Sequence, residues 1–144
     1  MVTGCNLIIG EETIHALGNM SMLSPDGRSY SFDARGNGYG RGEGICAVIL
    51  KRFDDAVRDG DTIRGIIRSS GTNQDGHTPG ISQPNKEAQA SLIEDVYARA
   101  GLDMSKTRYF EAHGTGTPSG DPLEAEAISS AFRHARKDGE PIYV

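Results

Sequence analysis

The chain has 144 residues, a length that suits one domain and lets about 70% of the unfolded surface be buried. Its 15 Lys and Arg against 20 Asp and Glu give a formal net charge of −5, and the basic residues are scattered, so no electrostatic footprint for nucleic acid or anionic lipid is present. The apolar runs fall far short of the roughly 20 residues that span a bilayer, and no charged leader precedes an apolar segment; a soluble, cytoplasmic protein without nucleic-acid or membrane partners is expected.

Residues 3–9 suit a strand. Residues 18–44 are rich in Gly, Ser and Pro, with turn signals at SPDGRS and GNGYGRGEG, and are expected to form a long loop of the kind that is usually functional. Residues 45–51 are a continuous apolar run suited to a strand buried on both faces, and residues 63–69 form a second such run after the turn signal RDGDT. RFDDAVRDG, between them, fits a short helix. Cys5 and Cys46 sit in the runs GCNLII and GICAVIL, where cysteine is expected to be a small buried hydrophobe. They form no zinc-type pair and no disulfide framework, and neither precedes a turn into a helix that would lower a thiol pKa.

In residues 84–100 the spacing changes. Ala88, Leu92, Ile93, Val96, Tyr97 and Ala100 recur every three or four positions, which predicts an amphipathic helix stopped by Gly101. TRYFEAH then offers a short strand, DPLEAEAISSAFRHARK a second helix and PIYV the start of another strand. The alternation implies parallel strands joined by helical crossovers. Asp121 is the expected N-cap of the second helix, with Pro122 at its first position and Glu124 completing a capping box. Arg133, His134, Arg136 and Lys137 gather where the helix dipole favours positive charge, so His134 is expected to be a helix-end surface residue. Parallel strands buried on both faces are expected at both ends and need neighbours, so the sequence is expected to belong to a larger domain; the alternative is a small three-layer domain with frayed ends.

The stretch EAHGTGTPSGDPLEAEA places His113 where a strand runs into a glycine loop and a helix. The loop is not a dinucleotide fingerprint, because after Gly114 and Gly116 the third glycine position is Ser119; the glycines from Gly36 onward fail the same test, and no P-loop exists. No metal site is expected, since His113 has no second histidine or cysteine at ligand spacing. His15 and His77 are isolated in loop-like context and expected to be solvated. At the C-terminal edge of a strand, imidazole can donate a hydrogen bond to a developing oxyanion or shuttle a proton. Thr115 and Thr117 alternate with glycines and can face the same cleft. Spacing alone leaves open a capped loop with an incidental histidine.

Three blocks carry a resemblance: EAHGTGTPSGDPLEAEAI, MLSPDGRSYSFDARGNGYGRGEGICAVILKRFDDAVRDGD and IIRSSGTNQDGHTPGISQPNKEAQASLIEDVYARAGLD. In order and spacing they resemble the β-ketoacyl synthases of type I polyketide synthases, with a flavour closest to the fungal reducing iterative enzymes. The resemblance implies an α/β fold of the thiolase-like kind, two related halves stacked in α-β-α-β-α layers. Residues 1–60 would end the first half and residues 61–144 open the second, making the chain an incomplete fragment across their junction. It implies an acyltransferase that condenses an acyl-cysteine with a malonyl thioester, with no bound cofactor. The phosphopantetheine arm arrives on an acyl carrier protein, and the complete domain is a homodimer. His113 matches the first of two catalytic histidines, donating to the thioester carbonyl; Thr115 and Thr117 match positions that bind the pantetheine arm. Nothing matches the family's nucleophilic cysteine or second histidine, so the chain alone is expected to be inactive. Two alternatives stand beside this: a non-catalytic thiolase-like module and a nucleotide-binding module.

Overall fold

The three- and four-residue spacing of residues 86–100 produces a helix. In the computed structural model, which describes residues 1–80, 83–137 and 140–144, the elements are β1 (Val2–Asn6), α1 (Glu11–Asn19), β2 (Gly44–Val48), α2 (Phe53–Arg58), α3 (Lys86–Ala100) and α4 (Gly120–Phe132). Single 3-10 turns follow at Met104–Lys106 and Arg133–Ala135. α3 begins where the Asn85 side-chain oxygen accepts from Ala88 N–H. It ends at Gly101, whose φ of 60° lets its own N–H reach Ala98 O and that of Leu102 reach Tyr97 O, a Schellman closure.

α3 packs on α4. Ile128, Ala131 and Phe132 are buried at the contact, and Ile93, Tyr97, Phe110, Ala112 and Ile142 close around them. The rings of Tyr97 and Phe110 meet Phe132 edge-on at 5.6 and 6.0 Å, geometry worth about 0.5–1.5 kcal/mol per pair beyond burial. Gly71 lets the extended chain ahead of α3 lie against this helix, since a Cβ there would sit 2.6 Å from Val96 and 3.0 Å from Leu92.

TRYFEAH and PIYV come together as expected, in parallel, with α4 as the crossover. Phe110 N–H donates to Tyr143 O at 2.8 Å and Tyr143 N–H to Arg108 O at 3.1 Å. The pairing is a single bridge between Tyr109 and Tyr143. Arg136 ties the two segments by donating to Thr107 O and Pro141 O at 2.7 and 2.6 Å, so it serves loop carbonyls where the helix dipole was the expected partner. His134 is exposed at the helix end.

Four expectations are corrected. β1 and β2 pair antiparallel, in the register Val2↔Val48 to Asn6↔Gly44, because the segment 7–43 returns the chain alongside itself. Both strands are exposed along their length, so Cys5 and Cys46 are exposed free thiols. Their apolar neighbours explain the misreading: Ile45 is 79% exposed in a run whose composition anticipates cover. Residues 63–69 join no ladder among the described residues, and a strand requires a paired backbone. Finally, His15 lies on the helix α1 rather than in a loop, although it is exposed as expected, as is His77. Among the described residues no helix is long and apolar enough to cross a membrane.

Candidate functional site

Residues 109–113 alternate in burial. Phe110 and Ala112 pack toward Phe132, which turns Glu111 and His113 to the opposite face. The core contact of Ala112 therefore fixes the residue immediately before the histidine. The His113 side chain is exposed, at the edge of a cleft of about 810 Å³.

Two carboxylates hold the backbone of the following loop. Glu124 accepts from His113 N–H at 2.6 Å and from Gly114 N–H at 2.8 Å, one with each oxygen. Asp121, 6% exposed, accepts from Gly116 N–H at 3.0 Å and from Phe32 N–H at 2.6 Å. Neither closes the expected capping box. The residue at the N-cap is Ser119, which contributes no side-chain bond, and Gly120 N–H is taken by the Thr117 hydroxyl at 3.1 Å. The helix start was legible, but its acidic residues reach backward and across to the loops rather than to their own N-terminus. The first-turn position of Asp121 keeps its charge at the favourable end of the dipole.

The glycines of both loops meet each other. Gly38 N–H donates to Gly116 O at 3.0 Å. A Cβ on Gly36 would lie 2.9 Å from Gly116 O, and one on Gly116, at φ 74°, would lie 2.7 Å from Tyr30 N. Backbone is thus pressed against backbone, which only residues without a Cβ allow. Ser31 Oγ adds a hydrogen bond to Gly114 O. The turn beside it is braced by Asp33, which accepts from both the side chain and the backbone N–H of Arg35; that hydrogen bonding holds the carboxyl at about 2, down from its ordinary 3.8.

Thr115 and Thr117 line the same cleft as His113, and their hydroxyl oxygens are 3.0 Å apart. A hydroxyl carries one proton, and Thr117 Oγ1 already accepts from Gly120 N–H. Whichever threonine donates to the other, one O–H of the pair remains to be offered to a ligand. The other walls come from Met20, Ser21, Met22 and Tyr39 on the long loop, and from Asp75, Gln83, Pro84 and Gln89 near the start of α3. The 18–44 loop was expected to be functional, but none of these individual residues was named from the sequence. Their contribution depends on long-range docking of the 20–43 segment, for which the glycine clusters were the only local sign.

The cleft, its histidine and its two hydroxyls sit on a recognisable family framework. Residues 1–56 match the N-terminal domain, and residues 64–144 the C-terminal domain, of beta-ketoacyl synthase; the chain belongs to the β-ketoacyl synthase family. Among curated relatives, the highly reducing polyketide synthase NEC1 of Pyricularia oryzae is 60% identical over the whole chain, which spans 5% of that protein. The lovastatin diketide synthase mokB of Monascus pilosus is 54% identical over the whole chain, which spans 6% of that protein. Solved ketosynthases superpose closely. The one from module 6 of the Bacillus subtilis bacillaene synthase is 44% identical with a TM-score of 0.90, over 93% of this chain and 24% of its own. The oxazolomycin ketosynthase domain OzmH KS7 of Streptomyces albus is 40% identical with the same TM-score, over 96% and 24%. The fold is accordingly part of the thiolase-like ketosynthase fold.

Proposed function

We propose that the chain supplies part of the condensing site of a polyketide-forming β-ketoacyl synthase, an acyltransferase whose acyl groups arrive on the phosphopantetheine arm of an acyl carrier protein. Residues 1–60 close the first half of its fold and residues 61–144 open the second, and the complete domain is a cytoplasmic homodimer. The nucleophilic cysteine and a second histidine are contributed from outside these residues. The carrying observation is that His113 stands at the cleft with its backbone clamped by Glu124, beside the hydroxyl pair of Thr115 and Thr117.

In this reading the malonyl thioester loses CO₂ and its electrons move onto the thioester carbonyl. His113 donates a hydrogen bond to that oxygen as charge develops, while the free threonine O–H holds the pantetheine arm. The enolate carbon then attacks the acyl-cysteine carbonyl; a C–C bond forms, the C–S bond breaks and the cysteine leaves as thiolate. Removing one such donor costs about 100- to 1,000-fold in rate. The test uses the full-length protein that carries this chain. His113→Ala should leave acyl loading of the cysteine largely intact and suppress malonyl decarboxylation by that factor. Equal loss of both steps would assign His113 to the nucleophile or to the structure instead.

A further inference from the structure

Phe32 is held at φ 56°, a left-handed conformation that bulky side chains rarely adopt. Its N–H donates to the Asp121 carboxylate, whose second oxygen accepts from Gly116 N–H. Asp121 is buried and not needed as a cap, because Thr117 already satisfies Gly120 N–H. The other polar contacts across the seam, Ser31 to Gly114 O and Gly38 N–H to Gly116 O, satisfy carbonyls and leave the Phe32 N–H dependent on the carboxylate. A Cβ on Gly114 would lie 3.2 Å from the Phe32 ring, so the strained residue also backs the peptide next to His113.

We infer that Asp121 is a positioning residue: it latches the strained Phe32 segment onto the 113–117 loop and thereby sets how His113, Thr115 and Thr117 face the cleft. The inference rests on the reading of His113 given above, but the latch has its own readout. Asp121→Asn keeps the volume and one acceptor oxygen while turning an NH₂ toward the second backbone donor, which breaks one arm.

In the full-length protein, Asp121→Asn should speed amide hydrogen exchange in both 29–40 and 113–117. It should also lower kcat for malonyl decarboxylation by about 10- to 100-fold, the scale of a small misplacement of reacting groups, with KM little changed. Adding Phe32→Gly should recover part of the loss, because glycine holds a left-handed backbone without help. Where the amide variant does not fold, Asp121→Glu, which displaces the carboxylate by one methylene, carries the same expectation. Unchanged exchange in either segment overturns the latch, whatever happens to activity. Faster exchange with unaltered kcat, or a KM effect without a kcat effect, overturns the positioning role. Decarboxylation that survives His113→Ala overturns the reading of the histidine, and the exchange result alone then decides the latch.

Discussion

The two threonine hydroxyls share a single free proton, and that makes their substitution effects unequal and non-additive. Thr117→Val removes the acceptor for Gly120 N–H and should cost about 1 kcal/mol of stability, as the loss of a helix cap typically does. Thr115→Val leaves that cap intact. Each single variant still leaves one hydroxyl able to donate into the cleft, so KM for the carrier-bound thioester should rise modestly in each and most in the double variant. Thermal unfolding and KM, measured side by side in the full-length protein, separate the two roles; additive KM effects would mean that the hydroxyls act independently. The sequence made both residues visible through their alternation with glycine. It did not distinguish the one that caps from the one that is free, because that depends on where the Gly120 N–H points.

At the scale of elements, α3 and α4 work as a platform. Phe132 is 2% exposed and touches both Tyr97 on α3 and Phe110 on the segment leading to His113. Phe132→Ala should therefore cost about 3–5 kcal/mol, measured by denaturant unfolding, and should loosen residues 108–113 along with the helix pair. A loss near 1 kcal/mol would show that the platform rests elsewhere. α3 was legible in the sequence because its periodicity and its Gly101 stop are local; its Asn85 cap, equally local, was not singled out there. α4 was half legible: Asp121 and Glu124 look the same in sequence whether they cap their own helix or hold distant N–H groups, and only tertiary contact separates the two. The strand runs were the least legible. Their apolar composition led to an expectation of burial that the structure does not show, because pairing direction and burial belong to partners far along the chain, as with Ile45 and Cys46.

At the scale of the whole molecule, the apolar exposure is concentrated on β1, β2 and their continuations. Ile9 is 87% exposed, Ile45 79% and Ile49 81%, on or just beyond the two-stranded β1–β2 sheet, whose outer edges are unpaired among the described residues. Such edges and patches favour association. The 144 residues expressed alone should fold poorly and self-associate, which light scattering and calorimetry would reveal. A monodisperse monomer with a cooperative thermal transition would contradict this.

The seam where Gly36 and Gly38 meet Gly116 has a consequence for anyone recombining such synthases. A contact made of main chain has no side chains to adjust when one partner is exchanged, so it tolerates neither a bulkier residue nor a shifted loop. Crossover points placed between residues 40 and 113 would divide the seam between two parents and ask two separately evolved backbones to mesh within a few tenths of an ångström. Junctions that inherit both loops from one parent keep the seam whole, and with it the side of the cleft that carries Met22 and Tyr39.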